Sequence, residues 1–213
     1  MIQQQLYLPE IQAIADRNNI SLDFVPAAAS VPATLPGWNK NRRGTPNSFL
    51  RCALFAATKG TQRHKLEDQV LGSPVGLSVK YTGEQLNQSD LDVWETLVHL
   101  GRQRPLGDVC SFTTYEILKT LGHKNTGNAE HKWIDRIIRR LSKTYLEITH
   151  EHYPDITYFG HLIEHGKKNS KTKRYDIKLS TGLLSLYDPA HWTAIDWEQR
   201  QGLRGQDLGL RPH

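Results

Sequence analysis

A short capped helix, a tight turn and a basic helix, followed by a hairpin with a cationic tip, predict an α+β fold. The expected architecture is a winged helix-turn-helix domain preceded by a flexible N-terminal arm. Thr113-Thr114-Tyr115-Glu116 has the form of a capping box, a hydroxyl at the N-cap and a carboxylate three residues on. Ile117, Leu118 and Leu121 follow, and Gly122 is placed to end this first helix. Beyond the turn-rich stretch His123 to Asn128, apolar residues recur at helical spacing: Trp133, Ile134, Ile137, Ile138, Leu141 and Tyr145. Lys132, Arg136, Arg139, Arg140 and Lys143 fall between them, opposed by Glu130 and Asp135. In a helix-turn-helix the second helix enters a DNA major groove. A solvated basic face is the alternative for this segment alone.

The strands follow. Tyr145 to Thr149 alternates apolar and polar residues, and Thr157–Ile163 and Tyr175–Leu179 read as two further strands. Between these two lies EHGKKNSKTKR, Glu164 to Arg174, with Lys167, Lys168, Lys171, Lys173 and Arg174 as its cations. A hairpin tip of this kind after a helix-turn-helix is the wing, which neutralises backbone phosphate beside the groove. In isolation it reads equally as a soluble flexible loop.

Upstream, Val75 to Tyr81 alternates as a strand. Ser89 caps a helix with Asp92 at its third position, and Leu91, Trp94, Leu97 and Val98 form its buried stripe. That helix is expected to stop near Arg104-Pro105, where proline forbids continuation. Asn47 to Ala57 places Leu50, Leu54 and Phe55 at helical spacing, with a strand as the alternative. Residues 1–44 form the arm: Leu6 to Ile20 contains a poorly capped helix pattern, and Val25 to Pro36 is too rich in Ala and Pro for a core. The winged-helix domain spans 45–198, and 199–213 reads as a frayed tail with no second winged helix behind it.

Composition is compatible with a polyanionic partner. The 213 residues carry 27 Lys+Arg against 22 Asp+Glu, a net charge of +5. Two cysteines, Cys52 and Cys110, and no signal-peptide pattern suit free thiols in a reducing, cytoplasmic setting. No apolar run approaches a membrane span, so no membrane partner is expected.

Further motifs run in order along the chain. They are LPGW (Leu35–Trp38), TPN (Thr45–Asn47), CALF (Cys52–Phe55), YTG (Tyr81–Gly83), Val93-Trp94 and PLG (Pro105–Gly107). FTTYE (Phe112–Glu116), Leu121-Gly122, Leu141-Ser142 and HWTAIDWE (His191–Glu198) continue the series. In this order they resemble the TrfA family of plasmid replication initiators. The resemblance implies a winged-helix initiator that binds repeated sites (iterons) in double-stranded plasmid origin DNA. It implies recruitment of host replication proteins, including DnaA and the replicative helicase, and a homodimer that interconverts with the monomer. It implies no catalytic centre and no cofactor. Members also carry a second winged helix, for which the fifteen residues after Glu198 leave no room. A sliding-clamp peptide of the form QLxLF is matched by Gln5-Leu6-Tyr7-Leu8-Pro9 at all but its last position. Gln5, Leu6 and Leu8 would dock in the clamp, and Pro9 removes the aromatic anchor.

Two patterns point to other chemistry. His161-Leu162-Ile163-Glu164-His165 fits a zinc-protease signature, but its neighbours predict strand and hairpin, where histidines four apart sit about 13 Å from each other. His150-Glu151-His152 has no cysteine or histidine at finger-like spacing. No P-loop occurs, and the chain is not expected to be an enzyme.

The residues expected at DNA are therefore Lys132, Arg136, Arg139, Arg140 and Lys143 on the helix. Asn128 and His131 are candidate base readers, and Lys167, Lys168, Lys171, Lys173 and Arg174 are the phosphate contacts. Trp94, Phe112, Leu118, Ile137 and Leu141 are expected in the core. The rivals are a winged-helix transcriptional (auto)repressor and a dimerisation module that touches DNA little.

Overall fold

The computed structural model describes residues 34–57, 63–150, 153–187 and 191–203. In chain order come β1 (Arg42–Pro46), α1 (Asn47–Arg51), β2 (Phe55–Ala56), β3 (Lys65–Val70), β4 (Leu77–Glu84) and β5 (Leu86–Asn87). Then follow α2 (Gln88–Gly101), β6 (Val109–Thr113), α3 (Thr114–Thr120), α4 (Asn128–Leu141), β7 (Tyr145–His150) and β8 (Tyr153–Gly160). The chain continues through β9 (Ile163–Asn169), β10 (Arg174–Leu179), a 3-10 segment (Thr181–Tyr187), β11 (Trp192–Asp196) and α5 (Trp197–Gly202).

Helix α2 is the centre of the core: Leu91, Val93, Trp94, Leu97 and Val98 are all buried, so no face of it is left wholly to solvent. Its N-cap is Asn87, two residues before the expected Ser89. The Asn87 side chain accepts from the Ser89 and Asp90 N–H groups, and the Asp90 carboxylate accepts from the Asn87 N–H at 2.8 Å. This box satisfies the helix's orphan donors, whereas Asp92 is engaged elsewhere, 2.6 Å from Arg200 Nε. The helix also stops at Gly101, ahead of the proline.

At α3 the capping box forms as the sequence predicts, with Thr113 Oγ1 accepting from Glu116 N–H and the Glu116 carboxylate from Thr113 N–H. These bonds hold the Glu116 carboxyl below its usual pKa. Gly122 ends the helix at φ +83, a left-handed conformation that suits glycine. Trp94, Phe112, Leu118, Ile137 and Leu141 are all buried, as expected.

The hairpins differ from the expected single one. β7 pairs with β8 and extends a four-stranded sheet of order β3-β4-β7-β8, while β9 pairs with β10 in a separate sheet of order β6-β10-β9. Thr157 therefore pairs back onto Thr149 and does not run into the basic hairpin. The chain breaks at Gly160 (φ +155), and Leu162 and Ile163 then turn fully inward. Residues 164–169, expected as loop, are strand. Tyr145 belongs to β7 and is not part of the helical face. Within 47–57 the helix is only five residues long, and Leu50 is exposed while Phe49 is buried against Trp94.

Both expected ends need correction. Leu35 and Trp38 are buried, and β1 pairs with β11, so residues 34–44 are part of the fold and not of an arm. Aromatic anchoring outweighs the Ala/Pro composition here: Trp38 stacks on Tyr187 at 6.1 Å and donates to His99 Nδ1 at 3.1 Å. Residues 1–33, with the clamp-like peptide Gln5, Leu6 and Leu8, lie outside the described residues. At the other end α5 includes residues 199–202 of the expected tail. Trp197 Nε1 donates to Thr120 O (3.1 Å) and Gln201 Nε2 to Leu121 O (3.0 Å), so α5 caps the C-terminus of α3. Residues 204–213 are outside the described set.

Two expectations follow from this packing. A Cβ on Gly44 would sit 2.5 Å from the Trp38 ring, so Gly44→Ala should destabilise by about 1–3 kcal/mol in urea denaturation. The second concerns pH. His99 is held down to about 3 by burial and then by Arg43 and Arg102, while burial raises the Glu95 carboxyl to about 7. The folded protein thus carries fewer protons at His99 than the unfolded chain between about 3 and 6.5, and more at Glu95 between 4.5 and about 7. On acidification below neutrality the His99 contribution is lost while the Glu95 contribution grows. Glu95→Gln removes the offset, so its stability should fall more steeply than that of the wild type as pH drops towards 5 in the same measurement.

Candidate nucleic-acid interface

Fourteen residues make α4 about 21 Å long. Ile134, Ile137, Ile138 and Leu141 are buried, which fixes the rotation of the helix about its axis. Lys132, Arg136 and Arg139 then line the opposite, exposed face at spacings of four and three residues, and exposed Lys143 extends that line just past the helix end. Lys132, Arg136 and Lys143 make no ion pair among the described residues.

Arg140 does not belong to this face. Its side chain turns back toward α2 and β4, with Nη1 2.6 Å from Asp90 and Nε 2.9 Å from Glu84. Only 13% of it is exposed, against 68% for Arg139. The reason is its position one residue further round the helix, next to a fully buried carboxylate. Arg140 is a clamp between α4 and the core, and it leaves the set of expected DNA contacts.

The second half of the surface is the β9–β10 hairpin. Lys167 and Lys168 are on strand β9, Lys171 and Lys173 on the turn, and Arg174 opens β10. Asn169 Oδ1 accepts from the Lys171 and Thr172 N–H groups at 3.0 and 3.1 Å and so shapes the turn. Lys173 is left-handed at φ +56, a strained position for a side-chain-bearing residue. Its carbonyl accepts from both the N–H (3.0 Å) and the hydroxyl (3.1 Å) of Thr114, which pins the turn to the start of α3. Lys167, Lys171, Lys173 and Arg174 are exposed. Lys168 is half-buried, its Nζ 2.8 Å from Asp135 and over the Tyr175 ring.

Helix and hairpin meet in a cleft of about 130 Å³ lined by Thr114, Asn128, His131, Lys132, Asp135, Lys168 and Lys173. Asn128 and His131 thus lie at the mouth of the α4 N-terminus, whose N-cap Gly127 provides no side-chain bond. The positive dipole end there favours an anion, offset in part by Glu130 in the first turn. The structure adds Asp135, Thr114 and Tyr175 to the site, none of which the sequence marks as a DNA contact. An acid four residues before Arg139, inside a cationic stripe, was the available signal for Asp135.

The zinc-like motif is dispersed. The His161 ring bonds the Thr144 carbonyl, Leu162 and Ile163 are buried between the two histidines, and Glu164 pairs with Lys178 at 2.7 Å. Among the described residues no three His, Cys, Asp or Glu side chains are grouped to hold a metal ion. Nor is any helix there long and apolar enough to cross a membrane.

The Arg140 clamp generates an expectation. Arg140→Ala leaves Asp90 buried with only Arg63 at 3.4 Å and the Asn87 N–H, and should cost about 2–4 kcal/mol of stability. Thermal denaturation checks this.

Comparison with known proteins places these elements in a family. The chain is 27% identical over 175 residues to the plasmid replication initiator protein TrfA of Escherichia coli, covering 78% of this chain and 44% of that protein. It therefore spans less than half the length of this curated relative. Two crystal structures of domains 2 and 3 of RctB resemble it at 13% and 14% identity, with TM-scores of 0.48 and 0.43. They cover 66% and 60% of this chain, and 59% and 55% of their own. The family described as TrfA protein matches residues 30–208. The chain belongs to the TrfA family.

Proposed function

We propose that this chain is a winged-helix DNA-binding unit of a plasmid replication initiator, acting by binding and not by catalysis. In this proposal α2, β6, α3, α4 and the β9–β10 hairpin are the winged helix. Helix α4 enters the major groove of repeated origin sites, and the hairpin lies on the flanking phosphates. The observation that carries it is the exposed line of Lys132, Arg136, Arg139 and Lys143 on one side of α4, beside Lys167, Lys171, Lys173 and Arg174 of the hairpin. Two exposed cationic surfaces meeting at one cleft suit a polyanion rather than a small acidic ligand. Membership of the TrfA family adds the setting of plasmid replication. Recruitment of host replication proteins and self-association belong to the same proposal.

The test uses a duplex selected by the protein from a random pool, with fluorescence anisotropy across a salt series. Each phosphate neutralised contributes about −0.9 to the slope of log K against log salt. Lys132→Ala with Arg136→Ala should weaken binding and flatten the slope by about 1.8, while the melting temperature stays near that of the wild type. Unaltered affinity and slope in that double variant would remove α4 from the interface.

A further inference from the structure

The acid in the middle of the cationic surface is unexpected if that surface only attracts phosphate. Asp135 accepts three hydrogen bonds: from Lys168 Nζ on β9 at 2.8 Å, from the Tyr175 hydroxyl on β10 at 2.8 Å, and from Arg139 Nε at 3.2 Å. Among the described residues it is the sole carboxylate lining the cleft between α4 and the hairpin. Tyr175 and Lys168 are register partners across the hairpin, so one carboxylate holds both strands to the helix.

On the DNA-binding proposal above, we infer that Asp135 is a specificity-determining residue. It holds half-buried Lys168, and bonds exposed Arg139, in an ion-paired cluster from which only a well-seated duplex displaces Lys168. A cation already paired releases less free energy when it meets a phosphate, and the carboxylate itself repels an approaching backbone. A loosely held, random duplex touches the outer cations Lys132, Arg136, Lys143 and Lys171 and leaves the Asp135 cluster intact. A cognate duplex brings a phosphate into the cleft between α4 and β9, and Lys168 transfers to it. Burial alone would raise the Asp135 carboxyl, but the bonds from Lys168, Tyr175 and Arg139 outweigh it and hold the carboxyl down at about 2.

Three variants of the whole chain test this by anisotropy on the selected duplex and on a scrambled duplex of equal length. Asp135→Asn frees two cations. Its affinity for scrambled duplex should rise roughly two- to tenfold at low salt, with a slope steeper by up to about 1.8. Affinity for the selected duplex should change less, so the ratio between the two falls. Tyr175→Phe retains the carboxylate and both cations and should leave both slopes as they are. Lys168→Met serves even where Asp135→Asn fails to fold: it should flatten the slope on selected duplex by about 0.9 and spare the slope on scrambled duplex.

The assignment is overturned by a folded Asp135→Asn protein that binds scrambled duplex no better than the wild type. Equal slope changes on both duplexes in Lys168→Met overturn it as well. In either case the DNA-binding proposal survives. A wild-type protein that ignores duplex altogether, or enriches nothing from the pool, overturns both.

Discussion

The apolar face of α4 governs everything the surface can do. Ile134, Ile137, Ile138 and Leu141 are almost fully removed from water, each contributing about 2 kcal/mol of transfer free energy. Any rotation of the helix would expose part of that face and bury a cation without a partner, which is far costlier than any surface contact is favourable. The charges therefore point where the core directs them. Lys132, Arg136 and Arg139 form an outward line because they lie opposite the isoleucines. Arg140, adjacent to that line, meets α2 and β4.

Arginine accordingly has two occupations in this chain. Arg140 with Asp90 and Glu84, and Arg200 with Asp92 and Glu95, tie helices to the core. Arg43 lies over the Trp197 ring at 4.4 Å and donates to backbone carbonyls of the segment that carries it. A planar, always charged group with five donors suits such half-buried junctions. The exposed positions are mainly lysine, a hydrated point charge suited to phosphate. Net charge alone does not separate the two uses, because Arg140 and Arg200 are offset by the buried acids Asp90, Asp92 and Glu95, while Lys132, Lys143, Lys167, Lys171 and Lys173 make no ion pair among the described residues.

How far the sequence is legible follows the range of the forces involved. The α3 capping box, Gly122 as a stop and the buried stripe of α4 are decided within four residues, and the sequence shows them directly. The sequence places the cap of α2 two residues late because Asn87-Asp90 and Ser89-Asp92 are both plausible boxes. The choice depends on Arg140 and Arg200, fifty and more residues away. Hairpin pairing is misread for a similar reason: Thr157 is compatible with either strand partner, and the inward turn of Leu162 and Ile163 depends on the core they fill. Residues 34–44 read as the end of the arm because Trp38 finds Tyr187 and Trp192 only in three dimensions. At the site, exposed cations were readable as a periodic stripe. The partners that reassign Arg140 and hold Lys168 were not, since Asp90, Glu84 and Asp135 reach them across separate elements.

The chain leaves α4, builds β7 and β8 into a different sheet, and only then returns for β9 and β10. That detour separates two tasks. Helix α4 is fastened at its C-terminal end to the four-stranded sheet, through Arg140 and Glu84 at the end of β4. It is fastened at its middle to the three-stranded sheet, through Asp135, Lys168 and Tyr175. At the first tie Arg140 is also held by fully buried Asp90, although Glu84 itself is about half exposed. The second is in the cleft, where phosphate and carboxylate would contend for the same ammonium group. A helix held rigidly at one end and adjustably near its centre can keep its register while the hairpin beside it shifts its cations between partners. The order of strands in the chain thus puts the two attachments of α4 on different sheets.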